Sequence, residues 1–86
     1  MAAHCFKLYN LTPSEMRQTE KRLAYFIRHG VKVTVLRRVI YIHLDDSQTY
    51  SGVFNMLHYF IASGRLHCNE KSQKWLQRYI WTPNNK

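Results

Sequence analysis

The feature that most constrains the fold is a short recurrence between the two halves of the chain. Tyr-Phe-Ile, followed by glycine, occurs at residues 25–30 and again at residues 59–64, an offset of 34 positions. The same offset aligns Phe6 with Ile40, and both lie in segments where apolar and polar residues alternate as they do in strands. Each half is therefore predicted to form a strand, a helix that ends at glycine, and a second strand.

The first helix has the clearest boundaries. The segment Thr12-Pro13-Ser14-Glu15 places threonine at the N-cap, proline at the first helical position and glutamate at the third, which is a capping box. Gly30 is suited to the position just past the helix end. The buried stripe of this helix is predicted to consist of Met16, Leu23 and Ile27.

The remaining segments follow the same plan. Residues 5–10 are predicted to form the first strand, and residues 31–36 and 39–44 a strand pair around the turn Arg37-Arg38. Residues 45–47, Asp-Asp-Ser, are predicted to cap a second helix that ends at Gly64. The buried stripe of that helix is predicted to be Tyr50, Val53, Phe54, Leu57 and Ile61.

The C-terminal segment allows two interpretations. Residues 65–68 are compatible with a short strand, and the helical spacing of Trp75, Leu76, Tyr79 and Ile80 favours a third helix after it. An edge strand that alternates Trp75, Tyr79 and Trp81 is the alternative. Residues 82–86 are predicted to be an unstructured tail, which leaves one domain over residues 1–81.

Two βαβ halves in series predict an α+β fold of the ferredoxin-like β-α-β-β-α-β plan, with two helices on one face of an antiparallel sheet and a C-terminal helix added. The face toward the helices is expected to carry Phe6, Leu8, Ile40, Ile42 and Leu44. The other face of the sheet is left open in this plan.

The charge of the chain indicates an acidic partner. Thirteen Lys and Arg residues against five Asp and Glu residues give a net charge of +8. Four of the five acids fall at predicted helix N-termini, so the remaining surface is expected to be a positive field of the kind that nucleic-acid-binding proteins carry. An acidic protein is the other partner class that such a surface fits.

Aromatic and cationic residues are predicted to share the open face, where stacked rings between cations commonly hold single-stranded nucleic acid. They are Lys7 and Tyr9 on the first strand, Lys32 on the second, Arg37 and Arg38 at the turn, and Tyr41 and His43 on the third. The layout resembles that of RNA-recognition-motif domains, although residues 38–43 lack the Gly-rich aromatic signature of that family. Packing of the tyrosines beneath the third helix, or in a dimer interface, is the alternative.

Two basic stripes on helices are further candidates for phosphate contact, with a solvated helix face as the alternative. They consist of Arg17, Lys21 and Arg28 on the first helix, and of Lys71, Lys74 and Arg78 on the third.

Metal binding and catalysis find little support. The pairs His4-Cys5 and His67-Cys68 have no Cys-x-x-Cys spacing, and adjacent strand residues point to opposite faces, so no zinc site or cofactor is expected. His43 with Asp45 and Asp46 could hold Mg²⁺ in a nuclease, but helix capping explains the aspartates without chemistry. No phosphate loop or nucleophile motif is present.

The sequence therefore predicts a non-enzymatic protein that binds single-stranded RNA or DNA. The alternatives are a small regulator or inhibitor that docks on an acidic protein, and a small nuclease. No apolar run reaches the ~20 residues that a membrane span needs. A cytoplasmic location with reduced cysteines is expected, and a homodimer is compatible with the pattern.

Overall fold

The computed structural model describes residues 3–80, and the statements below concern those residues. The elements in chain order are β1 (His4–Leu8), α1 (Pro13–Arg28), β2 (Lys32–Leu36), β3 (Val39–Leu44), α2 (Ser51–Ala62), β4 (Leu66–His67) and α3 (Glu70–Gln77). The predicted α+β class and the third helix are confirmed. The tail predicted at residues 82–86 lies outside the described residues.

The four strands form one antiparallel sheet in the order β2-β3-β1-β4. The two central strands pair from His4 opposite Leu44 to Leu8 opposite Ile40. β2 pairs with β3 over five positions and forms one edge of the sheet, whereas β4 contributes only two residues to the other edge. The sheet therefore has one long edge strand and one very short one.

One face of the sheet is buried beneath the helices. The five side chains predicted to face the helices are all fully buried, namely Phe6, Leu8, Ile40, Ile42 and Leu44. They share a core with Leu23 of α1 and with Val53, Leu57 and Phe60 of α2. Full burial of an apolar side chain of this size stabilises the fold by about 1.5–3 kcal/mol, so the strand alternation fixes which face turns inward.

α1 begins and ends as predicted. Thr12 Oγ1 accepts a hydrogen bond from the Glu15 backbone N–H, and the Glu15 carboxylate accepts one from the Thr12 backbone N–H. Gly30 follows the helix with φ +100°, a conformation that favours glycine. The predicted buried stripe is wrong at Ile27, which is 48% exposed, because the helix packs through Thr19, Leu23 and half-buried Phe26 instead.

The start of α2 differs from the prediction. The helix begins at Ser51, and its N-cap Tyr50 makes no side-chain capping bond. Asp45 accepts hydrogen bonds from the hydroxyl and the backbone N–H of Ser47, and these bonds lower the pKa of its carboxyl group. They form a turn ahead of the helix. The predicted cap at residues 45–47 is therefore wrong, because local Asp-Ser bonds compete successfully with helix capping.

α3 packs on the same side of the sheet as α1 and α2. Its N-cap is Asn69, whose side-chain oxygen accepts a hydrogen bond from the Ser72 N–H. The Trp75 ring stacks on His4 at 4.3 Å and meets Phe54 edge-on at 5.6 Å, both measured between ring centroids. Because His4 shares its face with Phe6 and Leu8, α3 extends the helix layer and does not cover the tyrosines of the other face.

Candidate nucleic-acid interface

The face of the sheet opposite the helices carries two rows of mainly polar side chains and, next to the β2–β3 turn, the apolar pair Leu36 and Val39. Residues directly opposite each other in an antiparallel pair share a face, so the strand register defines the rows. One row crosses all four strands and consists of Thr34, Tyr41, Lys7 and His67; the other crosses three strands and consists of Lys32, His43 and Cys5. We call these seven residues the open face.

The open face is cationic and free of helices among the described residues. No strand contains an aspartate or glutamate. Tyr41, Lys7 and His43 are half-buried by their neighbours, and Lys32 is exposed. Ring and cation surfaces are therefore adjacent, with no carboxylate on the strands to neutralise them.

A shallow hollow continues the open face toward the β2–β3 turn. It is lined by Lys7, Tyr9, Asn10, Arg38, Val39 and His67. The Tyr9 hydroxyl donates to the Gly64 carbonyl at 3.0 Å, and Arg38 Nε donates to the Leu11 carbonyl at 2.9 Å. These bonds fix both side chains at the rim of the hollow.

The structure therefore brings part of the predicted site together. Lys7, Tyr9, Lys32, Arg38, Tyr41 and His43 lie on the open face or its hollow, and Arg37 is exposed at the adjoining turn. The stripe of Arg17, Lys21 and Arg28 is exposed on the side of α1 away from its buried residues, so it faces the opposite way from the open face.

The α3 stripe forms a separate surface. Lys71, Lys74 and Arg78 line a second hollow together with Trp75, Tyr79, His4 and Asp46. Lys74 Nζ lies 3.7 Å from the Glu70 carboxylate, an exposed pair of the kind that contributes little. Asp46 lines this hollow and Glu70 lies beside Lys74, so carboxylates accompany the cations here, unlike on the strands of the open face.

A serine, a histidine and an aspartate meet beside α3, which sequence analysis did not anticipate. His4 Nε2 donates to Asp46 Oδ1 at 2.6 Å, and His4 Nδ1 lies 2.9 Å from Ser72 Oγ. The burial is the reverse of a hydrolase triad, because Ser72 is fully buried while the Asp46 side chain is 73% exposed. A buried hydroxyl cannot reach a substrate, so this trio ties β1, the β3–α2 loop and α3 together.

One ion pair links α1 to the segment that follows Gly64, and sequence analysis did not predict it. Arg65 binds both carboxylate oxygens of Glu15 at 2.6 Å, and the Tyr59 hydroxyl donates to the same carboxylate at 2.8 Å. These bonds and that of Thr12 hold the pKa of Glu15 well below its usual range, and the carboxylate raises the pKa of Arg65. Both charges are therefore paired with each other within the fold.

The described residues offer no metal centre. Within residues 3–80, no three His, Cys, Asp or Glu side chains are grouped so that they could hold a metal ion. Cys5 and Cys68 are free thiols, and burial raises the pKa of both, so neither is a ready thiolate. The aspartates considered for Mg²⁺ are engaged elsewhere, Asp45 with Ser47 and Asp46 with His4.

Comparison with known protein families, with curated proteins and with solved structures finds no match for this chain. No helix within residues 3–80 is long and apolar enough to cross a bilayer.

Proposed function

We propose that this chain is a non-enzymatic protein that binds single-stranded RNA or DNA across the open face of its sheet. The observation that carries the proposal is the row of Thr34, Tyr41, Lys7 and His67, which spans all four strands beside Lys32 without an acidic strand residue. Bases can stack on the aromatic ring while lysines contact phosphates, the combination that single-strand binders use.

We also propose that the architecture is ferredoxin-like, with α3 as an addition. The element order β-α-β-β-α-β and the antiparallel strand order β2-β3-β1-β4 support this arrangement. A cytoplasmic location fits the two free cysteines, because thiols stay reduced in that compartment.

The first test separates a defined site from a diffuse positive charge. Binding of labelled single-stranded oligonucleotides is measured by fluorescence anisotropy over a salt series. Replacing Lys7 and Lys32 by alanine should weaken binding and flatten the salt dependence by up to about 0.7 per lost phosphate contact. The double variant R17A/K21A removes the same charge from α1 and is expected to leave the slope nearly unchanged. Equal effects of the two double variants would contradict an interface on the sheet.

The second test addresses stacking. Tyr41→Leu should weaken binding about 5- to 150-fold, the range that corresponds to a stacking contribution of about 1–3 kcal/mol per base, and should leave the salt slope unchanged because stacking releases no counterions. Tyr25→Leu is the matched control, since Tyr25 is 56% exposed on α1 and distant from the sheet face. If both variants bind like the parent, the rings do not hold bases.

The partner class is decided by the same titration. An absence of binding to every oligonucleotide at low salt would overturn the proposal. The +8 charge would then fit the notion of a small regulator or inhibitor that docks on an acidic protein.

A further inference from the structure

The outer edge of β2 is free among the described strands, and this strand exposes an apolar side chain on each face of the sheet. β2 hydrogen-bonds to β3 alone and leaves its other edge without a strand. An edge strand exposes unpaired backbone N–H and C=O groups that can pair with another strand. Val35 and Leu36 at this edge are 44% and 54% exposed, and Ile27 on the neighbouring helix α1 is 48% exposed.

β2 has little of the protection that a free edge usually carries, because its one charged residue, Lys32, stands at the first position of the strand. Sheets protect their edges with very short strands, prolines, bulges or charged side chains, lysine especially. The opposite edge follows this rule, because β4 is two residues long. β2 instead pairs with β3 in an unbroken register of five residues, and its central residues Val33, Thr34 and Val35 carry no charge.

We propose that two copies of this chain pair antiparallel through β2, about a two-fold axis at Thr34. This register pairs all five residues of both strands. On the helix side, Val33 lies opposite Val35 of the second copy, so apolar side chains meet. On the open side, the two Thr34 residues face each other. Lys32 lies opposite Leu36 of the second copy, so the cations of the two strands are not directly opposed.

The pairing joins the two open faces into one surface. A two-fold axis perpendicular to the sheet keeps both open faces on the same side. The row of Thr34, Tyr41, Lys7 and His67 in one chain is then continued by the same row in the second chain. Eight strands at ~4.8 Å spacing make this row roughly 35 Å long. The use of the doubled row for nucleic acid rests on the proposed function, whereas the pairing itself does not.

Electrostatics set the conditions under which the pairing forms. Each copy carries a net charge of +8, so the copies repel at low ionic strength. Salt screens that repulsion, and the dimer should therefore strengthen as the salt concentration rises. Binding of single-stranded nucleic acid shows the opposite dependence, which separates the two equilibria.

Sedimentation equilibrium without nucleic acid, at high salt and increasing protein concentration, tests the pairing. The parent chain is expected to shift from the mass of one chain to that of two. Val35→Lys should raise the dimer dissociation constant at least about tenfold, because it places an unpaired charge against apolar side chains. Tyr25→Lys adds the same charge on exposed α1 and should change the constant less than about threefold. A parent chain that stays monomeric at millimolar concentration, or equal effects of the two lysines, would overturn the proposal.

Cross-linking keeps the test decisive if Val35→Lys impairs folding. In a background with Cys5→Ser and Cys68→Ala, Thr34→Cys places two thiols directly opposite each other at the two-fold axis, at a separation a disulfide can bridge after a small adjustment. Mild oxidation should convert this variant to a covalent dimer much faster than Ala24→Cys, which puts a thiol on exposed α1. Equal rates for the two variants would contradict the register.

Neither experiment contains nucleic acid, so a failure here leaves the proposed function intact, and a failure to bind oligonucleotides leaves the dimer intact.

Discussion

The two faces of the sheet are made of alternating residues from the same strands, yet they have opposite characters. In β1, Phe6 and Leu8 are fully buried, while Lys7 between them is half-exposed on the other side. In β3, Ile40 and Ile42 flank Tyr41 in the same way. The helix face supplies the hydrophobic core. The open face makes no such contribution, so its lysines and Tyr41 are available to the ligand proposed above.

The charges of the two sides also differ. On the helix side, Glu15 is bound by Arg65 and Asp46 by His4, so both of these acids have partners. On the open face, Lys7 and Lys32 have no carboxylate on any strand to pair with. Paired charges stabilise a fold, whereas unpaired like charges repel one another and favour a polyanion.

The largest expected effect tests the difference in packing. Phe6→Ala should lower the free energy of unfolding by about 3–5 kcal/mol, because Phe6 is fully buried and its removal leaves a cavity. Lys32→Ala, on the open face of the edge strand, should change it by less than about 0.5 kcal/mol. Urea unfolding of both variants measures the contrast, and similar losses would mean that both faces carry the fold.

The middle effect tests the difference in charge pairing. Glu15→Gln should destabilise the protein at neutral pH by less than Phe6→Ala does and by more than Thr12→Ala does. The pKa of Glu15 is depressed in the folded state, so its contribution is complete above the unfolded value of about 4.3 and is lost as the pH falls through the folded value. The difference in unfolding free energy between parent and variant should therefore shrink as the pH falls below about 4.

Glu20 provides the control for that experiment. It is an exposed acid on the same helix, and Glu20→Gln should change the stability little at any pH. A pH profile of Glu15→Gln that matches the profile of Glu20→Gln would show that the Arg65 pair does not hold the helix side.

The smallest effect concerns the start of α1. Thr12→Ala removes one half of the capping box and should cost about 1 kcal/mol of stability. Ser14→Ala, two residues along on the exposed side of the first turn, should cost much less. Urea unfolding compares the two variants. Equal costs would mean that the Thr12 cap does not stabilise the start of α1.

Features that depend on neighbouring residues were predictable from the sequence. The capping box at Thr12 and Glu15, the turn at Gly30 and the alternation in β1 and β3 all lie within a few residues, where backbone geometry and side-chain chemistry act directly. Most residues of the candidate interface followed from the same alternation, since a strand that buries Phe6 must turn Lys7 the other way.

The sequence alone could not determine which residues far apart in the chain are in contact. The Asp45-Asp46 pair fits a helix cap locally, but Asp46 binds His4, 42 residues away, and Glu15 binds Arg65, 50 residues away. The side of the sheet that α3 occupies depended on Trp75 stacking against His4, and that side decided whether Tyr41 is covered. Periodicity determines which residues share a face of one element, whereas only packing of the whole chain determines what that face meets, because many pairings are compatible with the same local pattern.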